Sequence, residues 1–180
     1  RTDSRLIEGL FELEVPEITT GAVEIKRIAR EAGSRSKVAV FTKQDGLDPI
    51  GSCVGQRGTR IQAVLAEIGD EKVDIILWNE KEEQFIANAL SPAKVEAVKL
   101  NKKDHKARVE VADDQLSLAI GKGGQNVRLA SKLTGWSIDV EKAPEKKAKV
   151  AITESVEKKK IVKPAKTAVG PKKSKPTKKK

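Results

Sequence analysis

The chain has 180 residues, with 36 Lys+Arg against 26 Asp+Glu, one Cys, one His and no Met or Tyr, a length that suits one medium domain or two small ones. Residues 142–180 hold 15 Lys and 3 acidic residues, leaving 21 basic and 23 acidic before them, so the body must meet any polyanion through a local site rather than a global field. No apolar run approaches the ~18 residues of a membrane-spanning helix, no signal-peptide pattern opens the chain, and one Cys with one His excludes an internal disulfide and a Cys/His metal site.

Leu6, Ile7, Leu10 and Phe11 share one helical face, and Pro16 is expected to stop that helix. Two strands follow, Val23–Ile28 and Lys37–Phe41, around a turn at Gly33-Ser34. Asp48 is placed to cap a short helix with Pro49 in its first turn and Ile50, Cys53 and Val54 facing inward. After Gly55-Gln-Arg-Gly58, a second helix carries Ile61, Val64, Leu65 and Ile68 and ends at Gly69, and Lys72–Trp78 forms a third strand. The same order then recurs. Phe85, Ile86, Ala89 and Leu90 make a helix stopped by Pro92, and strands Val95–Leu100 and Arg108–Val111 flank a turn at Asn101–His105. Asp114 is expected to cap a short helix with Leu116, Ala119 and Ile120 inward. Gly121-Lys-Gly-Gly124 follows, then a helix through Val127, Ala130 and Leu133 to Gly135, and a strand from Trp136 to Val140.

The recurrence is an internal repeat. Asp48 to Gly58 aligns with Asp114 to Gly124 at a constant offset of 66, and Lys37-Val-Ala-Val40 answers Arg108-Val-Glu-Val111. The chain is therefore read as α+β, an α-β-β-α-α-β unit made twice, each with a three-stranded mixed sheet and helices on one face. Residues 1–20 are assigned to a helix and linker, 21–79 to the first unit and 80–141 to the second. Residues 142–180 have no aromatic residue and no sustained period, so they are expected to be a disordered basic tail. Units this small are marginal alone and should pack on each other. The connection from Trp78 to Glu82 is short and lacks Gly and Pro, which favours a fixed arrangement.

In each unit a Gly-x-x-Gly loop joins two helices. The glycines let a backbone approach closely, and the second helix points its free N–H groups and positive dipole end across the loop. That geometry suits phosphate and is the arrangement of a KH domain, whose loop clamps the backbone of single-stranded RNA. Two strands before the loop and one after it resemble the type II form. The candidate RNA-binding residues are Gly55, Gln56, Arg57, Gly58 and Arg60 in the first copy. In the second they are Gly121, Lys122, Gly123, Gly124, Gln125, Asn126 and Arg128. No segment supplies a Walker loop. Gly121-Lys-Gly-Gly124 is no dinucleotide fingerprint either, because a helix rather than a strand precedes it. No nucleophile–base pair or paired catalytic carboxylates can be assembled, so neither an enzyme nor a cofactor is indicated. Cys53, aligned with Ala119, is read as core, His105 as a solvated turn residue, Asp113-Asp114 as helix capping rather than a metal pair, and Trp78 and Trp136 as core.

Longer stretches resemble one family. Val15-Pro-Glu-Ile18, Ile28-Ala-Arg-Glu-Ala-Gly-x-Arg-Ser-Lys37 followed by Val38-Ala-Val40, Val54-Gly-Gln-Arg-Gly58, Glu71-Lys-Val-Asp-Ile-Ile76, Ala87-Asn-Ala-Leu-Ser-Pro-Ala-Lys94 and Leu118 through Trp136 look like the tandem KH region of NusA-like bacterial transcription factors. The resemblance implies a bacterial, cytoplasmic and monomeric factor. It would bind nascent single-stranded RNA, RNA polymerase in the full-length protein and other antitermination factors, and act in elongation, pausing, termination and antitermination. It also implies polymerase-binding and S1-like domains upstream, with residues 1–20 as the connection leaving them, which fits a chain that opens on Arg1 rather than Met. An RNA-processing or ribosome-associated KH protein is the alternative reading, and DNA compaction by the Lys-rich tail is a further rival.

Overall fold

The computed structural model describes residues 2–143. Helix α1 (Ser4–Glu14) starts on Asp3, whose carboxylate accepts the Arg5 N–H at 2.9 Å. It ends at Val15, yet Pro16 opens a new turn, α2 (Pro16–Thr19), rather than ending helical structure. The first helical position has no use for an N–H, and there the fixed φ of proline suits a helix. A hairpin follows, β1 (Val23–Glu31) and β2 (Arg35–Thr42), paired antiparallel. Then come α3 (Pro49–Val54), α4 (Thr59–Ile68) and β3 (Lys72–Leu77), with β3 parallel to β2. The second unit repeats this as α5 (Glu82–Ala89), β4 (Val95–Asn101), β5 (Lys106–Val111), α6 (Asp113–Ile120), α7 (Gln125–Thr134) and β6 (Ser137–Lys142). Its sheet has the same order, with β4 and β5 antiparallel and β5 and β6 parallel.

The type II KH topology is thus present twice. Asp48 caps α3 as expected, accepting the Ile50 N–H at 3.0 Å. Asp114 does not cap α6: the cap is Ala112, and Asp113 and Asp114 both lie in the first turn. Pro49 fixes where α3 begins, whereas its counterpart Gln115 imposes no start, so α6 extends two residues further upstream. There the two carboxylates still complement the positive end of the helix. Strand β6 continues through Lys142, whose ammonium lies 3.0 Å from Asp113, so the tail boundary at 142 falls inside a strand. The remainder of the expected disordered tail lies outside the described residues. Among those described, no helix is long and apolar enough to cross a membrane.

Two cores hold these elements. Ile7, Phe11, Val15, Val23, Val38, Val40, Cys53 and Val64 are buried together, so α1 belongs by packing to the first unit. The other core crosses the duplication: Ala29, Ala39 and Ile76 of the first sheet are buried with Phe85, Ile86, Ala89, Leu129, Ala130 and Leu133 of the second unit. The first sheet therefore has its own helices on one face and α5 and α7 on the other. Strand β2 records this as an unbroken buried run from Ser36 to Val40, whereas β5 alternates exposed Lys106 and Arg108 with buried Ala107 and Val109. Even Lys37 is buried, its ammonium held by Asp74 at 3.1 Å and the Ser91 carbonyl at 2.9 Å.

Candidate nucleic-acid interface

The two glycine loops have one backbone. Gly55 (φ 75°, ψ 171°) and Gly121 (φ 75°, ψ 172°) end the short helices. A single 3-10 turn follows, closed by Gly58 N–H to Gly55 O and Gly124 N–H to Gly121 O, both at 3.1 Å. Gly58 and Gly124 then enter the longer helices in the left-handed region, at φ 79° and 72°. The third loop residue is left-handed as well, Gly123 at φ 59° and Arg57 at φ 54°. Arg57 thus holds a conformation that costs an L-residue roughly 1–2 kcal/mol. Gln56, Arg57, Lys122 and Gly123 are exposed at the crests of the turns.

Arg60 and Asn126, equivalent positions two residues into the longer helices, sit beneath the loops rather than on them. Arg60 Nη1 donates to the Ser52 carbonyl at 2.6 Å and to Glu17 at 2.8 Å. Asn126 is 1% exposed, and its amide donates to the carbonyls of Leu118 (3.2 Å), Ala119 (3.0 Å) and Leu90 (2.9 Å). Since Ser52 and Leu118 are themselves equivalent, each side chain ties the helix before the loop to the helix after it. These two residues brace the loops from below, and Asn126 has no surface to offer a ligand. The braces also explain the first glycine of each loop. A Cβ at Gly55 would stand 2.7 Å from Arg60 Cγ, and one at Gly121 would stand 2.8 Å from Asn126 Cβ and 2.9 Å from its backbone nitrogen.

Gln125 and Arg128 turn toward the first unit. Arg128 Nε and Nη2 donate to the two oxygens of Glu31 at 2.7 and 3.1 Å, and the Gln125 amide donates to Glu31 at 2.9 Å and to Ser34 Oγ at 2.7 Å. The Arg128 guanidinium, with Gln125, holds the Glu31 carboxyl down to about 2. In the first copy, a hydrogen bond from its own N–H and the Arg60 guanidinium keep Glu17 below the usual carboxylate range. Arg57 and Lys122 are left as the loop cations.

Beside the second loop, Leu118 is 49% and Ile120 38% exposed, although Ile120 was expected to face inward with Ala119. The helical spacing placed it in the core, but α6 ends there and the following turn leaves it uncovered. Leu118 was not singled out from the sequence; the signal was an apolar residue where the first copy has Ser52. Cys53 is fully buried, which pushes its thiol up to about 11. His105 is exposed in its turn with its ring 5.0 Å from Trp136, which is buried, and half-buried Trp78 meets Phe41 edge-on at 5.1 Å. Among the described residues no group of His, Cys, Asp and Glu is arranged to hold a metal ion.

Comparison with known proteins agrees with this geometry. A NusA-like first KH domain matches residues 1–78 and a NusA-like second KH domain matches residues 82–149. The chain belongs to the NusA family. It is 60% identical over 143 residues to the transcription termination/antitermination protein NusA of Thermus thermophilus, covering 79% of this chain and 37% of that one. It is 55% identical over 140 residues to NusA of Bacillus subtilis, covering 78% and 38%. NusA of Mycobacterium tuberculosis is 53% identical over 141 residues, covering 78% and 41%. The chain thus spans about two fifths of the length of these NusA relatives. The crystal structure of APE1850 shares the fold at TM-score 0.56 and 23% identity, covering 76% of this chain and 96% of that one.

Proposed function

We propose that this chain is a non-enzymatic binding module for single-stranded RNA, the KH pair of a cytoplasmic bacterial factor acting in transcription elongation, pausing, termination and antitermination. RNA polymerase and other antitermination factors are the partners proposed for the full-length protein, and the chain itself is proposed to be a monomer. The observation that carries the RNA reading is the pair of superposable glycine loops, each opening a ten-residue helix and each crested by a cation, Arg57 or Lys122. Phosphates would lie on the loops. In the second copy, exposed Leu118 and Ile120 give the adjoining bases an apolar surface. Support for the transcription context comes from family membership and from its relatives, which are transcription termination/antitermination proteins.

The test replaces Gln56 and Arg57, or Lys122 and Gly123, by Asp pairs and follows fluorescence anisotropy of a single-stranded RNA. All four positions are exposed, and Asp is among the side chains that tolerate a left-handed backbone. Negative charge near a helix N-terminus also favours the helix. The thermal melt should therefore stay close to that of the parent while RNA affinity falls. Unaltered affinity in both variants would remove the phosphate-clamp reading.

A further inference from the structure

The second glycine loop is fastened to the first unit, whereas the first loop is fastened only within its own. Loop one is braced by Arg60, which reaches Ser52 and Glu17. Loop two is followed at once by Gln125, which donates to Glu31 and Ser34. Arg128 spans from Glu31 back to the loop itself, its Nη1 donating to the Gly123 carbonyl at 3.3 Å. Lys132 adds a positive charge, its ammonium 3.7 Å from the same carboxylate. At the other end of α7, Arg27 Nη1 donates to the carbonyls of Thr134 at 3.0 Å and Leu133 at 3.3 Å.

Arg27 and Glu31 lie four residues apart on β1, and so on one face of the strand. Four strand residues span about 13 Å, close to the roughly 15 Å of a ten-residue helix. The two side chains therefore reach opposite ends of α7. Their signs also match the helix, with the carboxylate at its positive N-terminus and the guanidinium at its negative C-terminus. The counterparts of Gln125 and Arg128 in the first copy are Thr59 and Gln62, and among the described residues neither side chain bonds across units.

We propose that Glu31 is a positioning residue for the second glycine loop, holding it from the neighbouring unit in fixed register with the first loop, with Arg27 steadying the far end of the same helix. The two loops then present one continuous track rather than two independent clamps. The affinity consequence rests on the RNA reading above; the positioning itself does not.

Two measurements on the full chain test this with Glu31→Ala and Glu31→Gln. Amide hydrogen exchange at Gly124 and Gln125, whose N–H groups close the second loop onto the Gly121 and Lys122 carbonyls, should accelerate in Glu31→Ala, less so in Glu31→Gln, which still accepts one hydrogen bond, while the equivalent amides of Gly58 and Thr59 stay unchanged. The gain in affinity on going from four to ten nucleotides of single-stranded RNA should shrink roughly two- to thirty-fold in Glu31→Ala, the usual range for a residue that tunes coupling. Affinity for the four-nucleotide ligand should stay near that of the parent. Unchanged exchange at the second loop, acceleration spread equally over both loops, or an intact length-dependent gain would each overturn the proposal. If the parent chain bound neither RNA, the RNA reading would fall and the exchange pattern alone would decide the positioning role.

Discussion

Gly55 and Gly121 share a backbone conformation, but what lies beneath them differs in how far it can yield. Beneath Gly55 the obstacles to a Cβ are Cβ, Cγ and Cδ of Arg60, mostly part of a long side chain. Beneath Gly121 one of them is the backbone nitrogen of Asn126 at 2.9 Å, which cannot move without shifting α7. Both alanine variants bear the cost of a positive φ, typically of order 1–3 kcal/mol. Gly121→Ala should therefore lose more stability than Gly55→Ala, by about 1 kcal/mol or more given the usual cost of overpacking. Denaturant unfolding of the two variants checks the order, and equal losses would mean that the brace beneath Gly121 is as pliable as a side chain. At this scale the sequence was legible in type and misleading in direction. Arg60, Gln125, Asn126 and Arg128 flank the loops and carry the groups that contact phosphate, so spacing alone makes them ligands. Only the fold reveals that Asn126 is buried and that the other three are committed to Glu17, Glu31 and carbonyl oxygens.

Among the elements, α7 and β1 are joined by charge, and that joint has a pH dependence. Hydrogen bonds from Arg128 and Gln125 hold Glu31 at about 2 against an ordinary value of 4.5. A carboxylate depressed in the folded state contributes stability that is complete above its unfolded value and lost as pH falls toward its folded one. The Glu31 contribution should thus fade between about pH 4.5 and pH 2. Glu71 behaves similarly: burial pushes its carboxyl up, but Arg30, Ser36 and the Gly33 N–H more than offset this and leave it lowered. Melting temperatures of the parent and Glu31→Gln should converge across this window, since the amide has no charge to lose. A difference that persists to pH 2 would show that Glu31 acts through shape rather than charge. Element order was readable because apolar spacing and glycine ends are local signals. The start of α6 was not, since Asp114 looks like Asp48 until the missing proline is considered. The bonds from Glu31 to α7 join residues 94 and 97 positions apart and leave no local pattern to read.

For the whole molecule, the short connection after Trp78 matters less than the core the two units share. Loosening a linker costs only about 0.6 kcal/mol per doubling of its length, plus about 1 kcal/mol for the Lys81 N–H to Asn79 bond an insertion would break. Putting an unpaired charge into a core costs about 3–5 kcal/mol. A Gly/Ser insertion after Asn79 should therefore leave the two units packed and the length dependence of RNA binding largely intact. Ala39→Glu, which gives the first sheet the residue found at Glu110, should separate or unfold them. A single melting transition at the parent temperature for Ala39→Glu would contradict the shared core. The repeat made two units legible from the sequence, and the aligned Ala39 and Glu110 already held the difference between a covered face and an open one. What spacing could not supply was which helices do the covering.

That difference has a counterpart on the helical side, and together they determine how many units can be stacked. Along the 66-residue offset, exposed Glu67 on α4 stands where Leu133 of α7 is buried in the shared core. The first unit joins an apolar sheet face to a polar helix, and the second joins an apolar helix to a sheet face bearing Lys99, Arg108, Glu110 and Glu141. A head-to-tail contact between identical units would repeat without end and grow a fibre. Here each copy keeps one adhesive side and has a charged one opposite, so the series closes at two, as terminal caps close a solenoid.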